Sequence, residues 1–268
     1  MTEPPAAVVI VAYRTPALDL RWIPDDEDVA IFVVHNDDHL DEAACRGPGI
    51  THLRPGRNLG FGAGVNLALA QIRDERRVVL CNPDIEATPA HWRALVDVED
   101  DRIMAVPLDD AAGVATSVVN RYPSPLAHLL TGWRLGRVLP RSSPLRRPLS
   151  RLLGRWGHEH ARSLEPSAGA HHLLATHWVC AGLISIPAGA LRRVGGFDPG
   201  YFLYFEDLDL SARLAASAPG LEVEVAPTDP AIHLVGASSR GQARLTDRHH
   251  LASCRRWARH QRGPGWLA

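Results

Sequence analysis

The chain has 268 residues, of which 46% are hydrophobic and 22% are charged, and these proportions are typical of a soluble globular protein with one large domain or two small ones. Its formal net charge of −1 argues against a protein that binds nucleic acid through its bulk charge. All 29 basic residues are arginine, which excludes mechanisms that need a P-loop lysine or a Schiff-base lysine.

The cysteines and the N-terminal residues bear on the compartment. The four cysteines are scattered without C-x-x-C spacing, so neither a disulfide framework nor a zinc knuckle is expected. The apolar run 8–12 is too short for a signal peptide or a membrane-spanning helix. We therefore expect a cytoplasmic protein, either free or peripheral on the inner face of the cytoplasmic membrane.

Apolar runs and helical patterns alternate along the first part of the chain. The predicted elements are strand 6–12, helix 15–20, strand 29–34, strand 50–53, helix 67–72, strand 78–81, a helix that begins at 88, and strand 103–106. This alternation predicts a mostly parallel α/β sheet flanked by helices. Ligands of such sheets bind at the carboxyl ends of the strands, where this chain has Tyr13-Arg14, Asn36-Asp37-Asp38 and Asn82-Pro83-Asp84.

The last part of the chain alternates in the same way. The predicted elements are strand 177–186, helix 187–194, a helix that begins at 206, strand 221–225, an apolar run at 232–239 and helix 244–262.

Between these two parts lies a basic segment. Residues 111–158 contain eight arginines and no acidic residue, and leucine and tryptophan are interleaved with the arginines over 126–156. Basic amphipathic segments with tryptophan at their edges bind anionic membrane surfaces. The same leucine periodicity is equally typical of a surface subdomain or a lid with solvated arginines, so both interpretations stay open.

Residues 195–210, with the sequence GGFDPGYFLYFEDLDL, combine glycine, aromatic and acidic residues. Gathering the carboxylates of Glu206, Asp207 and Asp209 is costly unless a metal, a helix N-terminus or a substrate proton uses them. One interpretation is an ordinary helix start, because the first turn favours negative charge. The aromatic run before the acids and the motifs upstream favour a functional site.

Three further motifs were weighed. The glycines of 60–64 do not fit the dinucleotide fingerprint G-x-G-x-x-G, because Val65 occupies the position of the last glycine and no buried strand directly precedes Gly60. Asp84 at a strand end suits Mg²⁺ or Mn²⁺, although Asn-Pro-Asp is also good turn chemistry. A lone histidine in an apolar run, such as His233, is more often a core residue.

Together these motifs resemble glycosyltransferase family 2, the inverting enzymes of the GT-A fold, and in particular its rhamnosyltransferase-like branch. The matching stretches, in the order of the family, are VVIVAYR (8–14), RNLGFGAGVN (57–66), LCNPDIE (80–86), WVCAGLISI (178–186), GGFDPGYFLYFEDLDLSARL (195–214) and HLVGASS (233–239).

The resemblance implies roles for individual residues. Asp207 of the Glu206-Asp207 pair is the implied catalytic base, and Asp84 and His233 are the implied ligands of Mg²⁺ or Mn²⁺. The implied nucleotide-sugar-binding residues are Ala12, Tyr13, Arg14, Asn36, Asp37, Asn58, Gly60, Asn66 and Asn82. The implied acceptor-binding residues are Trp178, Gly182 and Tyr204.

The resemblance also implies an organisation and a function. We expect a nucleotide-sugar-binding α/β half at 1–120, a basic insertion or lid at 121–175, and an acceptor-binding and catalytic half at 176–268 that ends in a helix. The implied function is transfer of a hexose or deoxyhexose, with rhamnose favoured, from a nucleotide diphosphate sugar to an acceptor hydroxyl in cell-wall or surface polysaccharide assembly. The basic segment suggests a lipid-linked glycan acceptor at the membrane surface.

Three alternatives were considered. A soluble natural-product acceptor stays open, as does a non-catalytic scaffold that only binds nucleotide sugars, because His35 and Arg14 stand where the family usually has other residues. A nucleotidyltransferase would need a glycine-rich loop with basic residues after the first strand, which Tyr13-Arg14-Thr15-Pro16 does not provide. No nucleic-acid partner is expected, and the sequence leaves the oligomeric state open.

Overall fold

The structure is a computed structural model. It describes residues 6–25, 29–73, 76–99, 101–122, 168–234 and 243–260. Residues 126–156, to which the membrane-binding hypothesis applies, lie outside the described residues. So does most of the proposed insertion at 121–175.

Within the described residues, eight strands form one central sheet. In spatial order they are β12 (His171–Leu173), β15 (Glu222–Val225), β8 (Arg102–Ala105), β14 (Leu183–Pro187), β6 (Arg77–Cys81), β1 (Ala6–Ala12), β3 (Ala30–His35) and β5 (Ile50–Leu53). β14 is antiparallel to both of its neighbours and β12 is antiparallel to β15, whereas the other four pairs are parallel. The predicted mostly parallel α/β sheet is confirmed.

Shorter strands and the helices surround this sheet. The further strands are β2 (Leu18–Asp19), β4 (Cys45–Arg46), β7 (Ile85–Glu86), β9 (Leu108–Asp110), β10 (Ala115–Thr116), β11 (Val119–Arg121), β13 (His177–Val179) and β16 (Ala231–His233). The helices are α1 (Phe61–Leu69), α2 (Pro89–Val96), α3 (Ala188–Arg193), α4 (Glu206–Ser217) and α5 (Ala243–His260), and Glu42–Ala44 forms a 3₁₀ turn. Among the residues described, no helix combines the length and hydropathy needed to cross a bilayer.

The central strands form because their residues are apolar on both faces. All seven residues of β1 are buried, and its neighbour β6 is buried along its whole length. Such continuous runs are typical of strands covered on both sides. Since β14 and β15 come from the last third of the chain, residues far apart in sequence share one sheet. The predicted division into two halves stays a prediction.

Three sequence-based assignments were wrong. Residues 15–20 do not form a helix but contain β2. Leu18, Leu20 and Trp22 are buried and alternate with exposed residues, which is the pattern of a strand. The run 177–186 is broken into β13 and β14 by a turn at 180–182. Helix α1 begins six residues earlier than the predicted 67, directly after Gly60, whose positive φ of 82° ends the preceding loop.

Candidate active site

The carboxyl ends of β1, β3 and β6 lie side by side. Ala12 pairs with His35 in the register of β1 and β3, and the backbone N–H of Asn36 donates to the carbonyl oxygen of Ala12 over 2.8 Å. Beyond β1 the chain turns through Arg14, whose φ of 55° lies in the left-handed region. The N–H of Arg14 donates to Oδ2 of Asp37 over 2.7 Å, which fixes this turn. The polar tips predicted to form one edge are therefore neighbours, at least for β1 and β3.

Three of the implied nucleotide-sugar-binding amides bond to the backbone. Nδ2 of Asn36 donates to the carbonyl of Gly60 over 3.0 Å, and Oδ1 of Asn36 accepts from the N–H of Leu59. Oδ1 of Asn58 accepts from the N–H of Gly60 over 2.9 Å. Asn66 makes a two-way tie to the backbone of Phe197, with distances of 2.7 and 2.9 Å. These amides shape the loop before α1; contact with a nucleotide sugar stays a prediction for them.

Gly60 joins this loop to the aromatic stretch. A Cβ at Gly60 would lie 2.2 Å from the carbonyl oxygen of Phe202, so a side chain does not fit there. The N–H of Phe61 donates to the same carbonyl over 3.2 Å. The glycine-rich motif therefore allows close backbone approach between α1 and the segment that precedes the acidic pair.

Asp84 and His233 lie next to each other, as the family resemblance implied. Nε2 of His233 is 3.1 Å from Oδ1 of Asp84, and each side chain is 17% exposed. The pairing of β7 with β16 brings them together, and the N–H of Leu234 also donates to the carbonyl of Asp84. An adjacent carboxylate oxygen and imidazole nitrogen suit Mg²⁺ or Mn²⁺, which fill their other positions with diphosphate and water. Asp84 also lines a cleft of about 810 Å³ between β2, β4 and the start of α2.

Helix α4 begins at the acidic pair after a strained turn. Tyr204 and Phe205 both have φ of 69°, in a region that costs a non-glycine residue of the order of 1–2 kcal/mol. Two such residues in succession mark a site where the fold imposes a particular backbone direction. Here it sets the directions of Glu206 and Asp207.

The three carboxylates differ in their partners. Asp209 is paired with Arg213, whose Nε lies 2.7 Å from Oδ2. Within the described part of the chain, neither Glu206 nor Asp207 has an arginine partner. Asp207 instead accepts a hydrogen bond of 2.9 Å from the N–H of Leu208, and the nearby backbone of Ala181 and thiol of Cys180 also lower its pKa.

Burial raises the pKa of both members of the pair. For Glu206, which is 7% exposed and whose Oε2 has no hydrogen-bond partner, the negative charge of Asp207 raises the pKa further. For Asp207, the hydrogen bonds from Leu208 and Ala181 oppose the effect of burial on its pKa. The shared negative charge therefore resides on Asp207, where a carboxylate can accept a proton.

The turn at 180–182 connects the two parts of the site. Ala181 lies close enough to Asp207 for its backbone to lower the pKa of that carboxyl group, and the carbonyl of the next residue, Gly182, accepts a hydrogen bond of 2.8 Å from the N–H of Asn82. Asn82 begins the loop that carries Asp84, and a Cβ at Gly182 would contact Cδ1 of Leu108 at 3.0 Å. The start of α4, which carries the candidate base, and the loop of the candidate metal ligand are thus both next to one three-residue turn.

The other implied acceptor-binding residues lie in a small aromatic cluster beside the pair. Trp178 and Tyr204 are half-buried and pack against Tyr201, Phe205 and Trp257. Nε1 of Trp178 donates to the carbonyl of Arg121 over 3.2 Å. The indole of Trp178, which lies in β13, is therefore held by the neighbouring antiparallel strand β11.

Helix α5 covers the aromatic stretch, which the sequence did not predict. Oγ of Ser253 donates to the carbonyl of Leu203 over 2.9 Å, and the ring of Phe202 stacks on His249 at 4.3 Å between centroids. Although burial of Asp198 acts in the opposite direction, hydrogen bonds from Gly200 and Arg256 lower the pKa of this carboxyl group. Only the apolar positions 251 and 257 of the helix gave a signal of this packing.

Comparison with known proteins identifies the fold. The chain is similar to the crystal structure of GalNAc-T7 with UDP, GalNAc and Mn²⁺, with a TM-score of 0.54 and 13% identity, over 86% of this chain and 43% of that chain. It spans less than half the length of that protein. The protein has the GT-A fold of nucleotide-sugar-dependent glycosyltransferases, as predicted.

No protein-family model matches the chain. Two curated proteins with similar sequences are both rhamnosyltransferases. An N-acetylglucosaminyl-diphospho-decaprenol L-rhamnosyltransferase of Mycobacterium tuberculosis is 28% identical over 236 residues, covering 77% of this chain and 70% of that protein. The rhamnosyltransferase WbbL of Escherichia coli K12 is 25% identical over 251 residues, covering 89% and 85%. The resemblance to the rhamnosyltransferase-like branch of glycosyltransferase family 2 is confirmed.

Proposed function

We propose that this protein is an inverting glycosyltransferase that moves a hexose or deoxyhexose, with rhamnose favoured, from a nucleotide diphosphate sugar to an acceptor hydroxyl. The observation that carries the proposal is the buried Glu206-Asp207 pair at the start of α4, next to the turn at 180–182, which is hydrogen-bonded to the loop of Asp84 through Gly182 and Asn82. The two rhamnosyltransferase relatives support the reaction class and the sugar.

Asp207 is the proposed general base. Its carboxyl group accepts a hydrogen bond from the N–H of Leu208, and as a carboxylate it receives the proton of the acceptor hydroxyl as that oxygen attacks the anomeric carbon. A single displacement from the face opposite the leaving group inverts the anomeric configuration. Glu206 stays protonated beside it, which leaves the one negative charge where the proton must go.

Asp84 and His233 are the proposed ligands of a divalent cation. When held there, Mg²⁺ or Mn²⁺ would supply positive charge to offset the negative charge that develops on the leaving diphosphate. GalNAc-T7, whose fold is similar, was crystallised with UDP and Mn²⁺, which supports this role. The chain's own part is to hold the carboxylate and the imidazole 3.1 Å apart, with His233 in β16 and Asp84 directly before its partner strand β7.

The proposed acceptor is a lipid-linked glycan at the membrane surface, in cell-wall or surface polysaccharide assembly. The name of the Mycobacterium tuberculosis relative includes a decaprenol diphosphate carrier, which supports such an acceptor. Trp178 and Tyr204 beside the catalytic pair offer aromatic faces on which a sugar ring packs.

The test is transfer by the purified protein from dTDP-rhamnose, with Mn²⁺, to a short-chain polyprenyl diphosphate N-acetylglucosamine. We expect Asp207→Asn to lower the rate by about 10²–10⁴-fold and to leave the donor affinity, measured by calorimetry, close to that of the wild type. Asp229→Asn is the matched control, because Asp229 is an exposed aspartate outside α4. Wild-type turnover in Asp207→Asn would refute the assignment of the base, and transfer only to soluble aglycones would refute the lipid-linked acceptor.

A further inference from the structure

A second group of metal-binding side chains lies at the edge of the central sheet, separate from Asp84 and His233. His35 ends β3, His52 lies in the edge strand β5, and Glu42 begins the 3₁₀ turn between them. One ligand atom from each of the three residues lies within 4.8 Å of the others. The set of two imidazoles and a carboxylate is one that zinc uses at sites with an open position.

The two histidines already point at each other. Nε2 of His35 is 2.8 Å from Nδ1 of His52, so at most one hydrogen lies between the two rings. Two nitrogens that bind one tetrahedral Zn²⁺ at about 2.0–2.1 Å are roughly 3.3 Å apart. A movement of about half an ångström therefore opens the pair to a cation. His52 is half-exposed on an edge strand, where such a movement meets little resistance.

The burial of His35 makes this pair unusual. His35 is 3% exposed, and its Nδ1 has no hydrogen-bond partner. Burial disfavours the charged form of an imidazole, and the neutral ring keeps a lone pair on one nitrogen. A neutral imidazole is the form that binds a metal ion.

Arg54 competes for the third ligand. Its Nε and Nη2 donate to Oε1 of Glu42 over 3.2 and 2.9 Å. This pair is exposed to solvent and is therefore weak, so a divalent ion can replace the guanidinium. The other three-residue group, Asp198, Asp209 and His260, differs because arginines hold both of its carboxylates.

We infer that His35, His52 and Glu42 form a binding site for a zinc-type divalent cation, with its open coordination position at the edge of the sheet. Such an ion joins β3, β5 and the 3₁₀ turn beside the tip that carries Asn36 and Asp37. This inference does not depend on the proposed transfer reaction. The ligand set of this site has two imidazoles and one carboxylate, whereas the Asp84 pair has one of each and suits an ion that takes its other ligands from diphosphate and water oxygens.

The test measures binding of Zn²⁺ and Co²⁺ to the full-length protein carrying Asp84→Asn, so that the other candidate site does not contribute. We expect one equivalent of Co²⁺ with the visible absorption of a tetrahedral site, and displacement of that Co²⁺ by Zn²⁺. His52→Ala should weaken Zn²⁺ binding by more than about tenfold. Circular dichroism checks that the variant is folded, and His52→Gln provides a second variant that keeps the side-chain volume.

His39→Ala is the matched control, because His39 is an exposed histidine of the same segment outside the group. It should bind Zn²⁺ as the parent does. Arg54→Gln, which removes the competing cation, should bind at least as tightly as the parent. Equal binding by the parent and by both His52 variants, an equal loss in His39→Ala, or loss of binding in Arg54→Gln would each overturn the inference.

Discussion

Arg256 donates hydrogen bonds from Nε and Nη2 to the carboxylate of Asp198, over distances of 2.7–2.9 Å. The two residues are 58 positions apart, and the pair ties α5 to the loop that leads into the strained turn before Glu206. The last helix therefore supports the backbone of the candidate catalytic pair without contributing to it.

The first prediction concerns this tie. Arg256→Met should remove a forked, partly buried ion pair worth about 1 kcal/mol and loosen α5 from the aromatic stretch. Hydrogen exchange of the amides of 201–205 should become faster. Arg255→Met is the control, because Arg255 is the exposed neighbour on the same helix. Equal exchange rates in the two variants would show that the ion pair does not hold the helix.

The second prediction compares alanine substitutions at two glycines that both have positive φ but differ in the space around them. Gly56 and Gly60 have similar positive φ values of 72° and 82°. A Cβ at Gly56 meets nothing within 4 Å, whereas one at Gly60 lies 2.2 Å from the carbonyl oxygen of Phe202. Gly56→Ala should therefore cost about 1–2 kcal/mol from the left-handed backbone alone.

Gly60→Ala should cost more, by a further 1–3 kcal/mol or so, because its ψ of 179° lies in a region essentially limited to glycine and because the chain must also move away from Phe202. Urea unfolding of both variants measures the difference. If the two alanine variants have equal free energies of unfolding, then the contact between α1 and the aromatic stretch is loose.

The third prediction follows from the raised pKa of Glu206. Because burial and the charge of Asp207 raise this pKa, the folded protein keeps a proton that the unfolded chain loses as the pH rises above about 4.3. The stabilising effect of the protonated side chain is therefore present at low pH and is lost as the pH rises towards the folded pKa.

Glu206→Gln keeps the hydrogen-bonding shape without the charge. We expect its free energy of unfolding to fall less between pH 5 and pH 8 than that of the wild type, as measured by urea denaturation at each pH. Glu86→Gln, at an exposed glutamate, is the control and should follow the wild type. Parallel curves for the wild type and Glu206→Gln would mean that Glu206 is not buried as a neutral acid.

The sequence predicted the centre of the fold well because burial on both faces leaves continuous apolar runs. β1 was predicted with its observed ends, and β6 began one residue earlier than expected. The failure at 15–20 was avoidable. Thr15 and Pro16 looked like a helix start, but the alternation of Leu18, Leu20 and Trp22 is the period-2 pattern of a strand.

The candidate site was predicted in part, and the rest depends on contacts between distant residues. The spacing of the acids could not show that Asp209 forms an ion pair with Arg213 whereas Asp207 accepts a hydrogen bond from the N–H of Leu208. The interpretation of the acidic run as a helix start is confirmed, since the acids begin α4, whereas its functional role stays a prediction. The turn at 180–182 and the packing of α5 were missed because each joins segments that carry no shared sequence pattern.

The fourth prediction concerns the proposed metal ligands. If Asp84 and His233 hold a divalent ion that contacts the diphosphate, Mn²⁺ should increase the affinity for the nucleoside diphosphate of the donor. Asp84→Asn should abolish at least about 90% of that increase, because an amide oxygen carries no charge to offset the cation.

Calorimetric titration with and without Mn²⁺ gives the difference directly. Glu86→Gln is the control, because it removes a carboxylate two residues further along the chain, in β7, that lines the same cleft. This variant should keep the full effect of Mn²⁺ on nucleotide affinity. If Asp84→Asn binds the nucleotide with the same Mn²⁺ dependence as Glu86→Gln, then the 3.1 Å contact between Asp84 and His233 is only a structural hydrogen bond.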